Sequence, residues 1–261
     1  YQRNEVNNAN FFGMIANIDH NLGLLRDHLK GLNLDENTIL IFMTDNGTSA
    51  GCKFPGLDTE PTLGFNAGMR GKKSSIYEGG HRVPFFLHWP AGGFSKGRDI
   101  KTLAAHIDVL PTLADLCKLP KPDKRYDVDG LSLIPLLTNK VNSWERNHLF
   151  LQYHGGAHHK FALGPLTNSV VMTERWRLVN TDKAEELYDI EADPAQRKNS
   201  ASRFPRIVQK LESAYELFWQ RVSKGLRPVP ITVGDPTENP AVLCSQDWRP
   251  ETGNPPWNFS S

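Results

Sequence analysis

The run Thr38-Ile39-Leu40-Ile41-Phe42-Met43 is apolar on both alternating faces and stops abruptly at Thr44-Asp45-Asn46-Gly47. Successive strand side chains point to opposite sides of a sheet, so such a strand needs apolar cover on both. That predicts a central strand of a parallel sheet. Before it, Phe11, Ile15, Ile18, Leu22, Leu25, Leu29 and Leu32 recur in steps of four and three. This spacing predicts one apolar stripe on a helix over roughly 8–31, with Gly31 as its terminator. A helix followed by a doubly buried strand is half of a βαβ layer, which makes α/β the expected class.

The rest of the chain divides in style. Residues 48–72 are rich in Gly and Pro and read as a long loop, of a length usually functional or disordered. A second strand is expected over 83–89, with Pro84 near its start, where a missing N–H is tolerated. A helix near 107–117 would present Leu110, Leu113 and Leu116, and 120–147 reads as loop with apolar clusters at Leu133 and Leu136. Short strands then follow at 148–153, 169–173, 176–180 and 186–190, the pattern of a small antiparallel sheet. A helix over 203–223 turns Ile207, Leu211, Tyr215, Leu217 and Phe218 to a core, and the Pro-rich remainder reads as an extended or disordered tail. The expected division is therefore 1–147, part of a large α/β domain, and 148–261, a smaller α+β unit with its tail.

With 30 basic and 29 acidic side chains the net charge is +1, too weak a field to draw nucleic acid or an anionic membrane. No apolar run approaches the ~20 residues of a spanning helix. Cys52, Cys117 and Cys244 lie far apart without a CxxC pair and read as structural thiols.

Candidate chemistry begins where the first strand ends. Asp45 and Asn46 offer oxygen only, the ligand type that Ca²⁺ and Mg²⁺ favour, and open α/β sheets place ligands at carboxyl strand ends. The same residues also read as an ordinary Asp-Asn-Gly turn. Lys73, in a Gly-flanked loop, is suited to gripping an anion's oxygens, and equally reads as an exposed loop lysine. His81 follows that loop and is a weaker candidate for substrate contact. His20 falls on the polar side of the first helix, and His154, His158 and His159 cluster in a Gly-containing stretch that reads as loop.

The stretch 70–84, RGKKSSIYEGGHRVP, resembles the signature of type I, formylglycine-dependent sulfatases, in which RG-x-K leads to YEGG-x-RVP. MIANIDHNLGLL (14–25), ILIFMTDNG (39–47), HIDVLPTLADL (106–116), DGLSLIPLL (129–137) and ELYDIEADP (186–194) resemble further segments of that arylsulfatase-like family, in order. The resemblance implies part of an alkaline-phosphatase-like mixed or parallel sheet between helices, followed by a small antiparallel sheet with a packed helix. It implies sulfuric ester hydrolysis, with Asp45 and Asn46 as Ca²⁺ ligands and Lys73 on a sulfate oxygen. Glu78, Gly79 and Gly80 would shape a turn, and Arg82 would pair with a carboxylate.

No cysteine or serine here stands in the C/S-x-P/A-x-R motif that yields formylglycine, and the family's first aspartate pair and catalytic histidine are not found. The expectation is a C-terminal portion, inactive alone, whose Ca²⁺ needs ligands from elsewhere. Alternatives are a phosphoester or phosphonate hydrolase of the same superfamily, or a non-catalytic carbohydrate-binding or scaffold protein. Small-molecule or carbohydrate sulfate esters are the implied partners, periplasm or secretion the implied location, and self-association through an exposed sheet edge an expected consequence.

Overall fold

A computed structural model of the chain describes residues 9–48, 66–94, 96–120, 128–140, 144–153, 166, 168–181 and 183–224, with the backbone of 231–233 and 241–243. Most of the long loop, Cys52, Cys244, the 154–159 histidines and most of the tail lie outside the described residues.

Helix α1 spans Ala9–Gly31, where the four-and-three spacing places it. None of its residues is buried, and Ile15, Ile18, Leu25 and Leu32 of the apolar stripe stand exposed beside Met14 and Leu24. His20 is exposed as expected. Strand β1, Leu40–Met43, pairs with β2, Phe85–His88, setting Leu40 opposite His88 and Met43 opposite Phe85. This pairing is antiparallel, whereas the apolar run predicted parallel neighbours and cover on both faces; Leu40, Ile41 and Phe42 are half-buried and Met43 is exposed, and an apolar run carries no mark of strand direction. Between the two strands lies α2, the single turn Glu78–His81.

A 3₁₀ turn at His106–Asp108 leads into α3, Val109–Leu116. Leu110, expected inside, is exposed, and the buried residue of α3 is Thr112. The Thr112 hydroxyl accepts the Leu133 N–H at 2.8 Å and donates to the Asp108 carbonyl. The buried Asp108 carboxylate accepts the N–H groups of Ala105 and Leu131, each at 2.8 Å, and pairs with Arg146. A polar hub of this kind rewards neither helical periodicity nor an apolar stripe, which is why Leu110 misled. The one-turn α4, Ile134–Leu137, follows, with Leu133 and Leu136 buried. Cys117 is a free, exposed thiol just past α3, not a core residue.

Strands β3 (Leu149–Gln152), β4 (Ser169–Met172), β5 (Trp176–Asn180) and β6 (Glu185–Asp189) form an antiparallel meander in that order. Their alternation separates two cores. On one face Leu149, Val170, Met172, Val179 and Tyr188 pack with Ile76, and with the partly buried Leu103 and Ile107. On the other, Val171, Leu178 and Leu187 meet Val208, Leu211 and Tyr215 of α5, Pro205–Val222. Phe150 stacks on Phe218 at 4.4 Å between ring centres. Leu217, expected in this core, is 70% exposed, while Val208, not expected there, is buried. Four aliphatic side chains of β4 and β5, Val170, Val171, Leu178 and Val179, are fully buried, each contributing about 1.5–3 kcal/mol. Because Ile76 belongs to the first core, packing crosses the division expected at 147.

The expected featureless tail contains one regular piece: β7, Ile231–Val233, pairs antiparallel with β8, Ala241–Leu243. Three-residue strands are too short for periodicity to reveal.

Candidate active site

The chain leaves β1 at Met43, and the next four residues form a tip. Asp45 is exposed, and its Oδ1 accepts the Asn46 N–H at 2.9 Å; Asn46 Nδ2 donates to the Gly47 carbonyl at 2.8 Å. The chain bends here, over Asp45–Gly47. A carboxylate has about four lone-pair sites, so one main-chain donor leaves Asp45 further acceptor capacity.

This tip is bonded to the loop 70–80. Gly47 N–H donates to the Gly80 carbonyl at 2.9 Å, and Lys73 N–H donates to the Thr48 carbonyl at 2.9 Å. A Cβ on Gly47 would overlap the Gly79 carbonyl, so only glycine admits this approach. The loop is also closed on itself. Gly79 N–H reaches the Arg70 carbonyl at 2.7 Å, Gly80 N–H the Tyr77 carbonyl at 2.8 Å, and Ser75 N–H the Lys72 carbonyl at 2.9 Å. Lys72, Lys73 and Ser74 form its exposed crest, with Ser74 at φ +69°. Asp45, Asn46 and Lys73 therefore sit on two loops in direct main-chain contact at one end of β1.

The ends of the Lys73 loop are anchored on the antiparallel sheet. Glu78, 1% exposed, holds Arg177 of β5 with Oε1 to Nε at 2.6 Å, and Arg82 with Oε2 to Nη1 at 3.3 Å. Arg82 thus pairs with a carboxylate, as the resemblance implies. Arg70 Nη1 donates to the Tyr188 hydroxyl at 2.7 Å and the Gln196 carbonyl at 3.3 Å, and lies 3.5 Å from Glu186 Oε2. Its guanidinium also covers the Tyr77 ring at 3.8 Å, a cation–π contact. The hydroxyls of Tyr77 and Tyr188 both donate to Glu186 Oε2 at 2.8 Å. Burial, then the Glu186 hydrogen bond, pushes the Tyr77 phenol up to about 12, so it remains a neutral donor.

His81 lies under the loop with 15% of its side chain exposed and Nε2 4.0 Å from Glu78 Oε1. Burial outweighs the pull of Glu78 and lowers its pKa, leaving the ring neutral near pH 7. Reading the sequence missed Arg70, Tyr77, Arg177, Glu186, Tyr188 and Gln196 as supports of this loop. Their partners stand about a hundred residues away, and only the family-like segment 186–194 hinted at a role for part of the set.

Asp45 and Asn46 fit a hard, oxygen-preferring cation by type, but supply three side-chain oxygens at most, where Ca²⁺ takes ~6–8. Among the described residues no three His, Cys, Asp or Glu side chains gather into a metal-binding group.

Comparison with known proteins matches two family models in overlapping order. The Sulfatase model covers residues 2–119, and the model for N-sulphoglucosamine sulphohydrolase, C-terminal, covers 70–218, more than half of the chain. The chain belongs to the sulfatase family. An N-acetylgalactosamine-6-O-sulfatase of Bacteroides thetaiotaomicron is 28% identical over 225 residues, 78% of this chain and 40% of that protein. An arylsulfatase of Clostridium perfringens is 31% identical over 196 residues, 73% of this chain and 35% of that protein. This sulfatase chain therefore spans well under half the length of the curated relatives it matches. The phosphonate monoester hydrolase of Agrobacterium radiobacter shares the fold, with a TM-score of 0.57 at 23% identity over 82% of this chain and 40% of that one. The architecture is accordingly part of an alkaline-phosphatase-like α/β fold. No helix among the described residues is long and apolar enough to cross a membrane.

Proposed function

We propose that this sulfatase chain supplies part of the site of a sulfuric ester hydrolase, with the Lys73 ammonium holding a sulfate oxygen beside Asp45 and Asn46. The observation that carries this is the main-chain bonding of the Asp45–Thr48 tip to the Lys73 loop, Lys73 N–H to Thr48 carbonyl at 2.9 Å. Asp45 and Asn46 would be two ligands of Ca²⁺, an ion that supplies charge neutralisation of the sulfate. Lys73 gives a compact cation with three donors, suited to the oxygens of a tetrahedral anion. A preorganised donor gains most where charge develops on the leaving oxygen or on sulfate in the transition state. His81 would meet the substrate only through its small exposed face, as a neutral ring.

In this proposal the nucleophile and the remaining calcium ligands come from outside this chain, which is inactive alone. The leading substrates are carbohydrate sulfate esters, since the N-acetylgalactosamine-6-O-sulfatase aligns over 78% of the chain. The same kinship supports export to the periplasm or beyond as the location in this proposal.

Turnover of 4-nitrophenyl sulfate by the natural protein and its Lys73→Ala variant tests the assignment. The variant should lose on the order of 10²–10³ in rate. Unchanged turnover removes Lys73 from the chemistry. Faster turnover of a phosphonate monoester than of any sulfate ester would transfer the site to the superfamily's phosphorus chemistry.

A further inference from the structure

Gln196 lies outside every motif that points to sulfate, yet it touches both ends of the Lys73 loop. Its side chain is 1% exposed and its φ is +52°, a backbone conformation costly for a residue with a Cβ. Its Oε1 accepts the Glu78 N–H at 2.8 Å, and its carbonyl accepts Arg70 Nη1 at 3.3 Å. Its own N–H donates to the Asp193 carbonyl at 3.0 Å, which ties it to the turn after β6. Arg70 and Glu78 are the first residue of the loop and the first of the turn that closes it, and the Arg70 carbonyl itself receives the Gly79 N–H.

We propose that Gln196 is a positioning residue for the sulfatase reaction: it joins the two ends of the loop 70–80 to the antiparallel sheet, and so sets where the Lys73 ammonium stands relative to Asp45. This rests on the assignment of Lys73 to the sulfate.

The physical need is plain. Lys73 is exposed at the crest, where its N–H donates to the Thr48 carbonyl of the β1 tip. That one bond leaves the set of the loop on the antiparallel sheet to its base. One end of that base is fixed by Arg70 on Glu186, Tyr188 and Gln196, the other by Glu78 on Arg177 and Gln196. Gln196 bonds to Arg70 and Glu78, beside Glu186, which takes Arg70 and Tyr77. A misplacement near 1 Å at a reacting centre can cost about 10²-fold in rate, so a loosened base is legible in kinetics. The Gln196 Nε2 is buried without a partner, so a glutamate there keeps the acceptor that Glu78 N–H uses and forfeits no donated bond.

The test uses the natural protein with 4-nitrophenyl sulfate, comparing Gln196→Met, Gln196→Glu, Lys73→Ala and the double variant Gln196→Met/Lys73→Ala. Methionine keeps length and bulk and removes the acceptor. Gln196→Met should lower kcat/KM roughly tenfold or more, within the cost of a small misplacement, and Gln196→Glu should recover most of it. In the Lys73→Ala background the same substitution should add almost nothing, because its effect travels through Lys73. Hydrogen exchange at Glu78, Gly79 and Gly80 should quicken in Gln196→Met while the α5 amides stay protected. Equal losses in both backgrounds, or full activity of Gln196→Met, overturn the proposal while leaving the sulfate assignment intact. An unaffected Lys73→Ala enzyme sinks the assignment itself. Should Gln196→Met fail to fold, Gln196→Leu, which also removes the side-chain acceptor of the Glu78 N–H, takes its place in the cycle with the same expected pattern.

Discussion

Arg177 Nε stands 2.6 Å from Glu78 Oε1, with both side chains almost wholly buried, and this pair joins the base of the Lys73 loop to the third strand of the antiparallel sheet. Arg177 also donates to the carbonyls of Thr173 and Trp176. Removing one partner of a buried ion pair leaves the other charge uncompensated and costs about 3–5 kcal/mol, while replacing both can be nearly neutral. Glu78→Gln should therefore lower the thermal midpoint strongly, and Glu78→Gln/Arg177→Met should recover a measurable part. A midpoint for Glu78→Gln within the scatter of surface substitutions would show that the pair does not hold the loop.

Calcium should bind this chain weakly or not at all when it is titrated alone. The reason is ligand count: Asp45 and Asn46 bring three side-chain oxygens at most, against the ~6–8 that Ca²⁺ takes. Isothermal titration would settle it, and micromolar affinity would contradict the proposed sharing of ligands.

Glu185 on β6 faces Glu212 on α5. Burial, then the hydrogen bond to Glu212 and its charge, pushes the Glu185 carboxyl up to about 7 from an ordinary 4.5. The folded state thus binds this proton more tightly than the unfolded chain. The stability it contributes is complete below about pH 4.5 and is lost as pH rises through about 7. Glu185→Gln should melt close to the parent at pH 5 and higher than the parent at pH 8. Equal midpoints at pH 8 would show that the two carboxyls do not share a proton.

The apolar face of α1 and the side chains of Phe85 and Phe86 are exposed, Phe86 to 65%. Exposed apolar area of this extent favours association. Size-exclusion chromatography of the chain should show self-association that weakens on Phe86→Lys. A stable monomer at high concentration would contradict it.

Much of the architecture was legible because it rests on short-range periodicity. The stripe from Phe11 to Leu32 specifies α1, the succession of short strand-like runs specifies the antiparallel sheet, and the spacing from Ile207 to Phe218 specifies α5. The errors share a cause. Leu110 and Leu217 were placed inside by pattern, but a polar hub around Asp108 and the sheet's other face decided which side of each helix is buried. The antiparallel pairing of β1 and β2 was equally invisible, since two apolar runs read alike in either direction.

By itself, the sequence determined α1, α3 and α5, the strands β1–β6 and the residue types at the proposed site: oxygen at Asp45 and Asn46, a cation at Lys73, and glycines where backbones must touch. Only the tertiary structure decided that the β1 tip and the Lys73 loop are bonded together, and that Arg70, Tyr77 and Glu78 are held by Arg177, Glu186 and Gln196. Those contacts join residues about a hundred positions apart, and local spacing carries no information about which distant backbone will supply the complementary donor or charge.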